Sequence, residues 1–293
     1  MIQKPRFLSC AGISLCIIMM TMFFAIQNSE IQNSEASEVT ATSHLKSNIK
    51  SNSFNPCVAL TFDDGPNPYV TPKILAILQA HHLHATFFVV GEMAKRYSYL
   101  VKQEVQDGDM IGNHSWKHAW LNKMTKKQRL EDLDKTQALI ETLAPHQTIK
   151  WLRPPYGAHN AQMDKQVLDK GWDMVWWNVD DEAYRGYPPS KLSQLVLSET
   201  HPGSIVLMHD IQPRTAEALN GELTTLQKRG IRFCLLPQWQ AEHPWWVSMK
   251  NEGSWAEESA QEKQTRYPLF IATANHAVNN ASKKNNPIKR LTP

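Results

Sequence analysis

Short apolar runs alternate with amphipathic stretches through the middle of the chain. CVALTF is followed by TPKILAILQAH, whose apolar residues recur at helical spacing, and then by ATFFVV. The outer two read as buried strands and the middle one as a helix, with Thr71 as N-cap and Pro72 in its first turn, so together they make a βαβ unit. The rhythm continues with a helix near 94–107, the strand-like DMIGN, and a long helix opened by Thr125 with Leu130, Leu133, Leu139 and Ile140 on its apolar face. WLRPPYG, a helix near 160–170, the strand MVWWNV, a helix near 190–199, the strand SIVLMH, a helix near 215–229 and the strand IRFCLL complete the series. Repeated βα units predict an α/β fold with a mainly parallel sheet that tends toward a barrel, and polar groups gathered at the C-terminal ends of the strands.

The flanks have a different character. Residues 7–26 carry no charge and follow Lys4 and Arg6; as a helix they would span roughly 30 Å, the thickness of a bilayer core. Residues 1–26 therefore read as a signal peptide or membrane anchor. Bulky neighbours around Ala25 favour the uncleaved anchor over a cleavage site. Acidic residues after the segment (Glu30, Glu35, Glu38) place the rest of the chain outside the cytoplasm, periplasmic or extracellular. Residues 27–54 repeat IQNSE and are rich in Ser and Asn, a composition expected of a flexible linker. The folded domain is expected over 55–240, with 241–293 as an extension whose end, AVNNASKKNNPIKRLTP, lacks a core-forming pattern.

Formal charge is only +3, and no Lys/Arg run is interleaved with aromatics, so a nucleic-acid partner is not expected. Nothing in the pattern asks for a second copy, and a monomer is the expectation. Four cysteines are too few for a disulfide scaffold, and Cys10 and Cys16 fall in the apolar N-terminal segment. Cys57 and Cys234 sit in the first and last strand-like runs, which would be neighbours in a closed barrel. A bridge between them is one reading, and two unpaired buried thiols is the favoured one.

Four short motifs carry the chemistry. The first strand ends in Thr61-Phe62-Asp63-Asp64-Gly65-Pro66, bringing two adjacent carboxylates to a turn. His114-Ser115-Trp116-Lys117-His118 offers two imidazoles at i, i+4, which converge on one ion if the segment coils. Two His and one Asp leave coordination positions open, as hydrolysis needs. In Arg153-Pro154-Pro155-Tyr156-Gly157 neither proline has an N–H, so the first amide able to donate after Arg153 belongs to Tyr156, a rigid donor suited to an oxyanion. SIVLMHD delivers His209 at a strand end, where it can give a proton to a leaving amine. Taken singly, each motif is more often a solvated turn, a pair of surface histidines, a stiff loop or a structural histidine. Trp116, Trp120, Trp172, Trp176 and Trp177 mostly read as core, with Trp116, inside the histidine motif, as the best sugar-stacking candidate.

In this order the motifs TFDDGP, HSWKH, RPPYG and LMH resemble the polysaccharide deacetylases of carbohydrate esterase family four, the nodulation-type chitooligosaccharide deacetylase homology domain, over roughly residues 55–240. TPKIL, ATFFVVG and GNHSW add to the likeness. The resemblance implies a distorted (β/α) barrel of about seven parallel strands and a divalent metal, Zn2+ first, with Co2+ or another divalent ion as alternatives. It makes Asp63 the general base, and Asp64, His114 and His118 the metal ligands. Arg153 would position Asp63, the Tyr156 amide would hold the oxyanion, and His209 would be the general acid. The implied reaction is hydrolytic deacetylation of N- or O-acetylated sugars, with peptidoglycan, chitin oligomers, poly-N-acetylglucosamine and acetylated xylan as the substrate range.

One motif departs. After the sixth strand the family pattern is Asp-x-x-Asp-Trp, whose second Asp pairs with the catalytic histidine, whereas this chain reads Asp180-Asp181-Glu182-Ala183-Tyr184, with Ala183 in that place. Asp180, Asp181 and Glu182 are the candidate replacements, and an unassisted His209 is the remaining reading. Two further readings stand beside the deacetylase: an amidohydrolase acting on a lipid-linked or formylated amino sugar, and a catalytically silent glycan-binding homologue.

Overall fold

A computed structural model describes residues 55–243. Its elements run β1 (Val58–Asp63), α1 (Thr71–Ala80), β2 (Thr86–Val89), α2 (Gly91–Arg96), α3 (Ser98–Gln106), β3 (Met110–Asn113), α4 (Lys126–Leu143), β4 (Trp151–Leu152), α5 (Ala161–Asp169), β5 (Asp173–Met174), β6 (Val179–Asp180), α6 (Pro189–Glu199), β7 (Ile205–His209), α7 (Pro213–Lys228), β8 (Phe233–Cys234) and α8 (Leu236–Glu242). Every ladder is parallel, in the order β5-β4-β3-β2-β1-β7-β6. The hydrogen-bonded path ends at β5 and β6, so the seven strands form a half-barrel of the distorted (β/α) type. No helix among the described residues is long and apolar enough to cross a membrane, and the segment 7–26 lies outside them, as does the linker 27–54.

β1 lies inside the sheet between β2 and β7 and is buried along its whole length. Side chains alternate across a strand, and here the alternation separates two environments. Val58, Leu60 and Phe62 enter the main core with Ile74, Phe87, Ile111, Met208 and Leu219, and the Phe62 and Phe87 rings stack with centroids 5.1 Å apart. Cys57 and Ala59 enter a second cluster with Phe88, Trp151 and Val175. Thr61 and Asp63 continue that second face, which puts a carboxylate at the upper end of an apolar strand.

Local chemistry accounts for the element ends. Thr125 caps α4 through a capping box with Gln128, as its sequence predicts. The buried face of α4 is partly polar, with Arg129, Thr136 and Gln137 buried beside Leu133 and Ile140, and Leu130 and Leu139 only half-buried. The single helix expected over 94–107 is two helices, broken at Tyr97. Thr71 is the first residue of α1 rather than its cap. Its hydroxyl is engaged elsewhere, accepting from the Asn67 amide (2.7 Å) and donating to Asp210 Oδ2 (2.5 Å). MVWWNV is not one strand but β5 and β6, separated by residues 175–178, and IRFCLL keeps only Phe233–Cys234 as strand because α8 starts at Leu236.

Cys57 and Cys234 form a disulfide, with Cα atoms 5.8 Å apart, which corrects the reading of two unpaired thiols. The cause is the uneven coverage of β1. β7 pairs along one edge from Ala59 to Asp63, while β2 covers the other edge only from Thr61 to Asp63. That leaves Val58 and Ala59 open to Phe233 and Cys234 of β8.

Candidate active site

The C-terminal ends of β1 and β7 lie side by side, with Asp63 in register with His209. Next along the chain from Asp63, Asp64 takes a left-handed backbone conformation (φ 78°), as do Ser115 (φ 68°), His118 (φ 54°) and Tyr156 (φ 64°). Non-glycine residues rarely adopt this region, and four of them here turn the loops after β1, β3 and β4. The histidine motif was expected to bring its rings together by coiling, but the segment is bent rather than helical. The left-handed turns at Ser115 and His118 accompany two rings whose centroids stand 5.0 Å apart.

Asp64, His114 and His118 form a triad whose ligand atoms all lie within 4.8 Å of one another. Asp64 Oδ1 is 3.0 Å from His118 Nε2 and 3.3 Å from His114 Nε2. His114 Nδ1 stands 2.7 Å from the Arg153 carbonyl oxygen, which can only accept, so Nδ1 carries a proton and Nε2 is the nitrogen turned toward Asp64. The buried Asp64 Oδ1 accepts no hydrogen bond. Two imidazole nitrogens and a carboxylate oxygen gathered this closely are a donor set that fits a divalent metal. Burial works to raise the Asp64 carboxyl, but the two imidazoles and the charges of His209 and His114 outweigh it and hold the group well below the usual carboxylate range.

Arg153 is fully buried. Its Nη1 donates to Asp63 Oδ1 (2.8 Å) and to Thr61 Oγ1 (2.8 Å), its Nε to the Val175 carbonyl (3.1 Å), and its Nη2 to the Trp176 carbonyl (3.4 Å). The guanidinium also lies over the Phe88 ring at 4.3 Å. Asp63 Oδ2 is 3.7 Å from His114 Nε2, so the carboxylate held by Arg153 faces the triad. Thr61, absent from the candidates read in the sequence, sits two residues before Asp63 on the same strand face and passes its own proton to the Val206 carbonyl (2.6 Å). Period-two alternation within TFDDGP is the signal that marks it.

Tyr156 follows the two prolines, and the Gly157 amide turns back to the Pro154 carbonyl (3.0 Å). The Tyr156 hydroxyl donates to the His118 carbonyl (3.2 Å), and its ring meets the His118 ring edge-on at 4.6 Å. Trp120 stacks on the other side of Tyr156, 4.2 Å away with planes 15° apart. Trp116 is not a sugar platform: it is 8% exposed and lies under Lys135, whose Nζ is 3.8 Å from the ring centre. A Cβ on Gly91 would fall 2.4 Å from the Trp116 ring, so the glycine admits the indole. Tyr156 is the aromatic that borders the triad, and the half-buried Trp120 lies one ring further out.

The open question at Ala183 has a structural answer. Ala183 is buried, and the carboxylate beside His209 is Asp181, with Oδ1 3.4 Å from His209 Nδ1. Asp180 and Glu182 are used otherwise: Asp180 Oδ1 accepts the Glu182 amide (2.8 Å), and Glu182 pairs with Arg185 (2.9 Å). The left-handed turn at Glu182 (φ 52°) follows Asp181 directly. Burial pulls the His209 imidazole down, but Asp181, by its hydrogen bond and its charge, together with Asp64 and Asp180, pushes it up to about 10.

Fold and triad together define an α/β barrel protein with a candidate hydrolytic metal centre at its strand ends. The polysaccharide deacetylase family profile matches residues 50–175. The chain is 37% identical over 189 residues to the peptidoglycan-N-acetylglucosamine deacetylase PgdA of Listeria monocytogenes, covering 64% of this chain but only 40% of that protein. It is 30% identical over 208 residues to a chitooligosaccharide deacetylase of Sinorhizobium fredii, covering 67% of this chain and 97% of that one. Among solved structures it is similar to a CE4 family pseudoenzyme from Bacillus anthracis, with TM-score 0.61 and 30% identity, covering 64% of this chain and 66% of that one. The chain belongs to the polysaccharide deacetylase family.

Proposed function

We propose that the chain is a zinc-dependent deacetylase that hydrolyses N-acetyl groups on the amino sugars of a cell-wall glycan outside the cytoplasm. The observation that carries this reading is the convergence at one end of the sheet of the Asp64, His114 and His118 triad, the Arg153–Asp63 pair and the Asp181–His209 pair. Peptidoglycan is the favoured substrate class because the Listeria relative is named for it.

Asp64, His114 and His118 would hold the ion, which supplies Lewis acidity toward water and the acetyl carbonyl. Asp63, fixed by Arg153, takes the proton from the attacking water. The Tyr156 amide donates to the developing oxyanion. His209, kept protonated beside Asp181, gives a proton to the sugar nitrogen so that the amine leaves neutral. Acetate and a free amino sugar are the products.

A catalytically silent role was one reading of the sequence because of Ala183. The nearness of Asp181 to His209 supports turnover over that reading. The test is acetate release by the full chain from peptidoglycan, chitin oligomers, poly-N-acetylglucosamine and acetylated xylan, with and without chelator. Release from an amino-sugar polymer that stops with chelator and returns with zinc is expected, together with loss in Asp63→Asn. No acetate from any polymer, or release indifferent to chelator and to Asp63→Asn, sinks the proposal.

A further inference from the structure

Thr215, a residue outside the four motifs, makes the shortest contact to the carboxylate beside His209. It is the third residue of α7 and 2% exposed, and its hydroxyl donates to Asp181 Oδ2 at 2.6 Å. The other oxygen of Asp181 is shared: Oδ1 accepts the Ala183 amide at 3.0 Å and faces His209 Nδ1 at the longer distance of 3.4 Å. The Asp181 backbone is tied to β7 by its amide donating to the Leu207 carbonyl (3.1 Å). Two of these three side-chain contacts leave one rotation free. The Ala183 amide and His209 both meet Oδ1, so a carboxylate held there alone could swing about that atom, whereas the Thr215 bond fixes Oδ2 and with it the plane of the group. Thr215 lies in the first turn of a sixteen-residue helix, so the hydroxyl is offered from a regular element.

We infer that Thr215 is a positioning residue for proton delivery. By fixing the plane of the Asp181 carboxylate it holds the His209 imidazole oriented and charged for donation to the leaving nitrogen. Asp181, so held, takes the place of the carboxylate that the family pattern puts at Ala183. The inference rests on the deacetylase reading, and it predicts a defect confined to the step in which the leaving group takes a proton. The groups facing His209 are Asp181 and Asp180 from the β6 segment, Asp64 from the end of β1, and the Tyr184 ring at 6.1 Å. A change at Thr215 removes none of these groups and touches only Asp181 among them.

The experiment compares the zinc-loaded full chain with Thr215→Val, Thr215→Ser and Asp181→Asn. Two substrates are used: an N-acetylglucosamine oligomer, whose amine must be protonated to leave, and an aryl acetate, whose phenolate leaves unaided. Thr215→Val should lose about ten- to a hundredfold in kcat on the amide, with KM within about twofold and aryl ester turnover little changed. Thr215→Ser, which keeps the hydroxyl, should recover most of the rate. Combining Thr215→Val with Asp181→Asn should cost no more than Asp181→Asn alone. NMR titration of the His209 ring is independent of turnover and should show a downward shift in Thr215→Val but not in Thr215→Ser. The inference is overturned if Thr215→Val keeps more than about half its amide rate, if both substrates suffer equally, if Thr215→Ser is equally impaired, or if the His209 titration stays put or moves up. Failure of the wild type on both substrates overturns the deacetylase reading, and the His209 titration still decides the role of Thr215.

Discussion

Replacing Arg153 by Met tests the arrangement at its most buried charge. Methionine keeps much of the apolar stem and removes the guanidinium, which is wholly buried and donates to Asp63, Thr61 and the carbonyls of Val175 and Trp176. The Asp63 carboxylate, 3% exposed, is left without a counter-charge. Breaking a buried pair from one side costs about 3–5 kcal/mol. A domain of this size has roughly 5–15 kcal/mol in hand, so the variant should still fold, with Tm lower by roughly 6–20 °C. Removing the stranded charge as well should recover much of the loss, so Asp63→Asn combined with Arg153→Met should be clearly more stable than the two single penalties added together. His114 takes its orientation from the backbone carbonyl of residue 153 and not from its side chain, so zinc affinity should hold within about tenfold. The assay is urea unfolding of the four proteins followed by tryptophan fluorescence, with a competitive zinc titration of each. A cost under about 1 kcal/mol for Arg153→Met, or simple additivity in the double variant, refutes the reasoning.

Two other outcomes follow from the same contacts. His209, raised to about 10 against burial, should keep the alkaline limb of kcat/KM well above neutrality, and Asp181→Asn should move that limb to lower pH; a limb that does not move removes Asp181 from the role. The sign for stability agrees: a folded-state value raised from 6.5 contributes fully below about pH 6.5 and is lost as pH rises through about 10. The Cys57–Cys234 bridge closes a separation of 177 residues, for which chain entropy allows about 5 kcal/mol at most. Reduction or Cys234→Ser should lower the urea midpoint markedly while leaving zinc affinity unchanged, and an unchanged midpoint would show that the bridge constrains nothing.

Much of the βα order and the triad can be read in the sequence because both are local. Apolar periodicity marks β1, α1 and β2, Thr125 and Gln128 sign the start of α4, and Asp64, His114 and His118 sit in short motifs with recognisable chemistry. What escaped the sequence depends on distant pairings. The bridge exists because β2 leaves the first residues of β1 uncovered, a fact of register across the sheet. The choice of Asp181 among three neighbouring carboxylates depends on a left-handed turn at a glutamate, and Thr215 reaches it from 34 residues away. The motif around Trp116 suggests a ligand face, whereas Gly91 and Lys135 enclose the ring.

The left-handed residues around the triad have a consequence for anyone seeking a hardier variant. Asp64, Ser115, His118 and Tyr156 each hold a backbone shape that glycine would adopt freely, at a cost of order 1–3 kcal/mol apiece. A screen that rewards heat resistance alone would therefore drift toward glycine at these positions, and in doing so would discard two of the candidate metal ligands and the ring that packs beside one of them. Robustness has to be sought in the helices and loops away from the strand ends, because at the strand ends thermal tolerance and chemistry compete for three of these four residues.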